Sequence, residues 1–289
     1  LAEPTSACTP PGNLQAQAVQ RFAALEDLDT QQCTIEEREE YEPYVRQGLV
    51  IYAGVDYRQI LAEAEAEADI ILWDGGNNDF SFVAPDLGIT VADALRAGHG
   101  QFYYPGETNL RAADILVINK VSAATAADIE QIMALRDALN PHAQVVQADL
   151  EVSVDDPAPL ADRRVLIVED GPTVTHGGMS YGAGWVAARQ CGVADIVDPR
   201  PAAVGSIRAT LDRYPALRRV LPAMGYSESQ RAELKATIEA SGAEVVLNAS
   251  PSDIATLLEL SLPVVRVRYR FTPRGGADLL AAVKALLPA

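Results

Sequence analysis

Four stretches bring together residue types that could do chemistry. The first is the apolar run Ile70–Trp73 followed by Asp74-Gly75-Gly76-Asn77-Asn78-Asp79. An Asp delivered at the C-terminal end of a strand can hold Mg2+ directly or through water. Adjacent glycines let a phosphate come close to the backbone. Asp-Gly is also a common turn pair, which explains Asp74, Gly75 and Gly76 as well as a site does. The polar cluster that begins at Asn77 favours the site. The second stretch is Ile115-Leu116-Val117-Ile118-Asn119-Lys120. GTPase-type folds present a base-reading loop in this way, with the Asn supporting the loop and the Lys stem packing over the base. The acidic residue expected two positions after the Lys is absent, because Ser122 stands there. The pattern supports a nucleotide without favouring guanine over adenine, and an ordinary polar strand end explains it nearly as well.

The third stretch, His99 to Arg111, packs aromatic, Gly, Pro and acidic residues into what reads as a loop. Long polar loops on α/β scaffolds carry function, and Arg111 could pair a phosphate bidentately; a surface lid or an oligomer contact is the plainer alternative. The fourth is the sharpest. The strand Val165–Val168 leads through Glu169-Asp170-Gly171-Pro172-Thr173-Val174-Thr175-His176-Gly177-Gly178-Met179-Ser180-Tyr181-Gly182-Ala183-Gly184 into a helix Trp185–Gln190. Open N–H groups at a helix start bind anions. Glycines there let such a ligand come close, His176 could donate to a phosphate oxygen or shuttle a proton, and Glu169 and Asp170 could orient His176 or bind a cation. A glycine-rich crossover needed only for helix–sheet packing is the alternative. Arg200, in Asp198-Pro199-Arg200-Pro201, is a further candidate anion clamp. Arg266, Arg268 and Arg270 alternate along one strand face, as on a charged edge strand.

These stretches need a scaffold that puts strand ends on one edge, and the rest of the chain supplies it. Strands are expected at Leu49–Gly54, Ile70–Trp73, Ile89–Ala92, Ile115–Asn119, Val145–Ala148, Val165–Val168, Asp195–Val197, Val220–Pro222, Val245–Asn248 and Val264–Tyr269. Several are unbroken Val/Ile/Leu runs, as in strands covered on both faces. Helices are expected at Tyr57–Ala68 with Asp56 as cap, Thr125–Leu139, Ser227–Ser241, Ser252–Leu260 and Gly276–Leu287. Alternating β and α predicts a parallel, doubly wound α/β sheet. The Pro- and Asp-rich segment Glu151–Ala161 divides it into units of about 1–160 and 161–289.

The 289 residues bear a net charge of −17, from 23 basic and 40 acidic side chains. A chain this acidic is a poor nonspecific binder of nucleic acid or anionic membrane, since both need a positive field. No apolar run approaches the ~18 residues of a membrane span. Three cysteines, Cys8, Cys33 and Cys191, form no close pair, which reads as a reducing, cytoplasmic setting. None of the three lysines follows a Gly, so no Walker A loop is present.

Several stretches together resemble the cyclic 2,3-diphosphoglycerate synthetase family, whose bacterial members are often labelled predicted GTPases. They are Gln17-Ala18-Val19-Gln20-Arg21-Phe22, Leu25-Glu26-Asp27-Leu28-Asp29, Cys33 to Pro43, Tyr52-Ala53-Gly54-Val55-Asp56-Tyr57, Trp73 to Asp79, and Glu169 to Gly184. The likeness runs from about Leu14 to about Tyr269. It implies an incomplete P-loop-NTPase-like sheet over 1–160, lacking its Walker A loop, and a Rossmann-like α/β domain over 161–289. It implies an ATP-dependent ligase that closes an intramolecular phosphoanhydride in 2,3-diphosphoglycerate, with ATP (or GTP) and Mg2+. Asp74 would be the Mg2+ ligand, and Gly75, Gly76, Asn77, Asn119 and Lys120 would hold the nucleotide. His176, Glu169 and Asp170 would be catalytic, and Arg111, Thr175, Gly177, Gly178 and Arg200 would hold the small phosphorylated substrate. The chain is expected to be truncated ahead of its first residue and inactive alone, with a homodimer left open. A GTP-dependent switch or metallochaperone-like protein, and an inactive fragment, are the competing readings.

Overall fold

The structure, a computed structural model, describes residues 2–3, 17–33, 35–75, 80–175, 179–224 and 227–287. The chain is an α/β protein built on two sheets. The smaller sheet has the order β1 (Ala2–Glu3), β3 (Ile51–Ala53), β2 (Gln20–Phe22). Between β2 and β3 run α1 (Leu25–Thr30) and α2 (Ile35–Val45), and α3 (Tyr57–Glu65) follows β3. Phe22, Leu28, Tyr41, Val45, Ile51 and Ala53 form one buried cluster; Tyr52, alternating with Ile51 and Ala53, packs with Ile60 and Ala64 of α3. Asp56 caps α3 as expected, accepting a hydrogen bond from the Gln59 N–H at 3.0 Å.

The larger sheet takes in eight strands: β4 (Ile89–Asp93), β5 (Ile115–Asn119), β6 (Gln144–Val154), β7 (Arg164–Glu169), β8 (Asp195–Ile196), β9 (Leu221–Pro222), β10 (Val245–Asn248) and β11 (Val264–Gly276). Their order is β4-β5-β6-β11-β10-β7-β8, with β9 also paired to β7. Every pairing is parallel except β6 with β11. A 3-10 turn at Ala158–Leu160 carries the chain from β6 to β7, at the place where composition puts the division. The two halves are nevertheless hydrogen-bonded together, because β11 returns to pair with β6 from Val267↔Val154 to Gly276↔Val146. The last strand is therefore interior. Its alternating arginines do not guard an edge: Arg268 forks onto Asp155 at 2.6 and 2.8 Å, and Arg266 donates to the Pro251 carbonyl.

The remaining helices are α4 (His99–Phe102), α5 (Gly106–Ala112), α6 (Ala126–Leu139), α7 (Gly171–Thr175), α8 (Ala183–Gln190), α9 (Gly205–Arg213), α10 (Glu228–Ala240), α11 (Ile254–Leu257) and α12 (Leu279–Lys284). Thr125 and Ser227 close capping boxes on α6 and α10 with Asp128 and Gln230, satisfying N–H groups that the first turn leaves open. The largest buried cluster includes Val165–Val168 of β7, Val245–Leu247 of β10, and Ala187, Ile207 and Ile238 from α8, α9 and α10. The apolar runs of β5, β7 and β10 are covered on both faces, as their sequences predict.

Four expectations need correction. Ile70–Leu72 is not a strand, and only Trp73 makes a bridge. Ile71 packs against the cluster around Tyr52 while Ile70 and Leu72 are 44% and 52% exposed. The run has strand-like alternation without a ladder, and apolar content alone does not supply a pairing partner. The stretch His99 to Arg111 is not a loop but two short helices, α4 and α5, separated by Tyr103–Pro105. Helix α12 starts later than expected, because Gly276 ends β11. Finally, Cys33 is disulfide-bonded while Cys191 is free and exposed; sequence spacing does not reveal a pair made by the fold. Among the described residues no helix is long and apolar enough to cross a membrane.

Candidate functional site

Open parallel sheets bind ligands beyond the carboxyl ends of their strands, and the sheet here offers two such edges. At the first, β4 and β5 pair with Asp93 opposite Asn119. Asp93 and Asn119 end their strands, and Lys120 follows in a left-handed conformation with φ +65°. The Asn119 Oδ1 accepts the Lys120 backbone N–H at 2.8 Å, which holds that unusual turn. The Lys120 Nζ donates to Asp93 Oδ2 at 2.8 Å, and Arg96 shares the same oxygen at 2.9 Å. Burial pushes the Asp93 carboxyl up, but the Lys120 hydrogen bond and charge, the Leu95 N–H and Arg96 outweigh it and hold the group below its ordinary value. Lys120 thus spends its charge on Asp93.

One strand further, Asp149 of β6 meets Ser122. It accepts from the Ser122 N–H at 2.9 Å and from the Ser122 hydroxyl, and Arg274 of β11 donates to it at 2.6 Å. Burial raises its carboxyl, and Ser122 and Arg274 more than reverse that. The base-reading acid missing from the sequence after Lys120 therefore has a spatial neighbour in Asp149, whose oxygens are already engaged.

The second edge lies at β7, β9 and β10. Glu169 is 1% exposed and ends β7. Its carboxylate accepts three backbone N–H groups from the start of α8: Gly182 at 2.9 Å, Gly184 at 2.9 Å and Trp185 at 2.8 Å. Burial pushes this carboxyl above its ordinary range against the pull of those three bonds, and Asp170 adds to the rise. Glycine is required here by proximity. A Cβ on Gly182 would stand 2.6 Å from Glu169 Oε2, and one on Gly184 would stand 2.7 Å from Ile167 Cγ2. Gly171, likewise, has its backbone against the Ala223 carbonyl, 2.1 Å from where a Cβ would be. Glu169 anchors the glycine-rich turn; its polar atoms face the helix start. Asp170 caps α7 through Thr173, and the Thr175 hydroxyl donates to the Gly171 carbonyl at 2.8 Å.

Beside this turn stands an aromatic pair that residue patterns did not single out. Tyr181 and Trp185 lie with ring centroids 6.4 Å apart at 46°. The Arg218 guanidinium carbon sits 4.7 Å from the Tyr181 centroid and 5.1 Å from that of Trp185. The Arg218 backbone N–H donates to the Ser180 carbonyl at 2.8 Å. Tyr181 was visible in the sequence inside the glycine-rich stretch and Trp185 at the start of the helix after it, but nothing linked them to Arg218, which arrives from the segment before β9.

The remaining expected site residues are placed as follows. Arg111 is exposed and paired with Glu107 at 2.8 Å. Arg200 is paired with Asp198 at 3.1 Å and donates to the Leu217 carbonyl. Asp74 is half-buried and Gly75 exposed, next to Trp73, whose ring joins Tyr57 and Phe82. Gly76, Asn77, His176, Gly177 and Gly178 lie outside the described residues. None of the hydrogen bonds and ion pairs among the described residues joins Asp74, the Asn119–Lys120 turn and the Glu169 turn to one another. The described residues contain no group of three or more His, Cys, Asp or Glu side chains placed to hold a metal ion. Mg2+ on a nucleotide typically needs only one or two carboxylates beside phosphates and water, and the half-buried Asp74 has the donor type for that role.

No protein-family model matches the chain. Over 270 residues, 93% of this chain, it is 55% identical to a protein of Thermococcus kodakarensis named arginine synthetase ArcE. The chain spans 60% of that relative's length. Both sheet edges fall within a match of that extent.

Proposed function

We propose that this chain supplies the substrate-holding surface, and part of the nucleotide-holding surface, of an ATP-dependent synthetase that builds arginine. The observation that carries this reading is the 55% identity to arginine synthetase ArcE over 93% of the chain. The chemistry is that of oxygen activation. A ureido oxygen is a poor leaving group. Transfer of the γ-phosphoryl group breaks the β,γ-bridging P–O bond of ATP and forms a new O–P bond on the ureido oxygen, leaving ADP. A nitrogen nucleophile then forms the C–N bond, the C–O bond breaks, inorganic phosphate departs and the surplus proton goes to solvent. Asp74 would hold Mg2+ on the nucleotide, where the ion would supply charge neutralisation to the phosphates.

The same logic of activation and displacement underlies formation of cyclic 2,3-diphosphoglycerate, the second reading, supported by the motif resemblance over Leu14 to Tyr269. Two observations favour arginine. A doubly phosphorylated substrate needs cations free to clamp it, yet Arg111 and Arg200 are each held in a local ion pair. The second edge presents an aromatic pair with a guanidinium already lying on it. A guanine-reading switch is disfavoured, because Ser122 stands at the acidic position and Asp149 is engaged with Ser122 and Arg274. ATP is the matching nucleotide.

The test is calorimetric titration of the chain with arginine, with 2,3-diphosphoglycerate, and with Mg-ATP against Mg-GTP. The proposal expects saturable binding of arginine and none of 2,3-diphosphoglycerate. Tight binding of 2,3-diphosphoglycerate with no response to arginine would reverse the choice of substrate.

A further inference from the structure

Arg218 is spent differently from the other arginines at the two edges. Arg96, Arg200 and Arg274 lie against carboxylates. Arg218 is exposed, and among the described residues its guanidinium has no hydrogen bond or ion pair; its contacts are two ring faces. A planar cation on an aromatic face is attracted by the ring quadrupole, and the gain at an exposed position is only about 0.5–1 kcal/mol. Such a contact is easily exchanged for a second planar cation that also satisfies its N–H donors.

The surroundings favour that exchange. Trp185 is in the first turn of α8, whose start is locked to Glu169 through three N–H bonds, so its ring is carried on a fixed backbone. Tyr181 is next to Gly182, one of those three anchors. Arg218 is tethered by its own N–H to the Ser180 carbonyl, so its side chain can leave the rings without its backbone moving. The two rings, inclined at 46°, form a wedge for one flat group.

We propose that Tyr181 and Trp185 are the subsite for the guanidinium end of arginine, and that Arg218 fills it in the free protein as an internal stand-in. This deepens the reading of the preceding section and rests on it. An internal competitor lowers apparent affinity by the fraction of time it occupies the site. The measurement is arginine affinity by calorimetry in the chain and in three variants, with lysine as a compact-cation control. Arg218→Ala should tighten arginine binding by about 3–10-fold, the size expected when a weakly held competitor is removed. Trp185→Leu should weaken it by roughly tenfold, and Trp185→Phe, which keeps a ring, should recover most of that loss. Lysine should bind poorly throughout. The chain has two tryptophans, so in a Trp73→Phe background Trp185 fluorescence should change saturably with arginine. If arginine binds but Arg218→Ala and Trp185→Leu each shift its affinity by less than about twofold, the subsite lies elsewhere and only this inference falls. If neither the chain nor Arg218→Ala binds arginine, the proposed function falls with it.

Discussion

The two sheet edges use the same residue types in opposite ways. At the β4–β6 edge, each carboxylate holds a cation: Asp93 holds Lys120 and Arg96, and Asp149 holds Arg274 beside Ser122. At the β7–β10 edge, the buried Glu169 holds no cation among the described residues and is spent on backbone N–H groups, while a cation, Arg218, lies on rings. The first arrangement stiffens a loop through side chains that are closed to a ligand until a pair opens. The second fixes a turn through its backbone and leaves the aromatic surface exchangeable. On the proposed reading, the amino-acid substrate belongs to the second edge.

The largest effect is expected at Glu169. Glu169→Ala strips the acceptor from three N–H groups, and each buried donor left unsatisfied costs about 1–3 kcal/mol. A loss of roughly 3 kcal/mol or more in urea unfolding is expected, with loss of arginine binding. An unchanged midpoint would mean that water replaces the carboxylate. At the other edge, Asp149→Ala should cost less, about 2 kcal/mol, because exposed Arg274 keeps Glu151 at 2.8 Å, and arginine affinity should stay as it was.

The pH dependence sharpens the contrast because the two carboxyls have opposite signs. Asp93 is held below its ordinary 3.8. Its contribution is present above that value and is lost as pH falls through the lower folded value. Asp93→Asn should therefore flatten the acid side of a plot of melting temperature against pH. Glu169 is raised above 4.5. Its contribution is full below 4.5 and fades as pH rises through the higher folded value, so Glu169→Gln should flatten the side above that. The smallest expected effect is at Arg111. Its ion pair with Glu107 is exposed on both partners, and Arg111→Ala should change stability by about 0.5 kcal/mol or less and leave arginine binding unchanged. A large loss of binding there would restore Arg111 as a substrate clamp.

Much of this arrangement was legible before the structure. Unbroken apolar runs marked β5, β7 and β10 to within a residue or two, because strands covered on both faces carry their burial in composition. The cap at Asp56 was legible, and the expected helices began at Thr125 and Ser227, the residues that close capping boxes, because capping is local. The failures were nonlocal. Ile70–Leu72 has strand composition and no ladder, and β11 is interior rather than an edge because it pairs with β6 from Val267 onward as well as with β10. At the sites, the glycine-rich turn stood out, but the task of Glu169 did not, since three N–H groups more than a dozen residues away use up its carboxylate. Asp149 and Arg218 were invisible as site residues because their partners, Ser122 and the Tyr181–Trp185 pair, are brought to them only by the fold.

The most direct test of the account is hydrogen exchange of the chain with and without saturating arginine. Slowed exchange confined to the segment from Ser180 through α8 and to the strand before Ala223 is the predicted result. Slowing at Asp93, Lys120 and Ser122 with no change around Trp185 would contradict it.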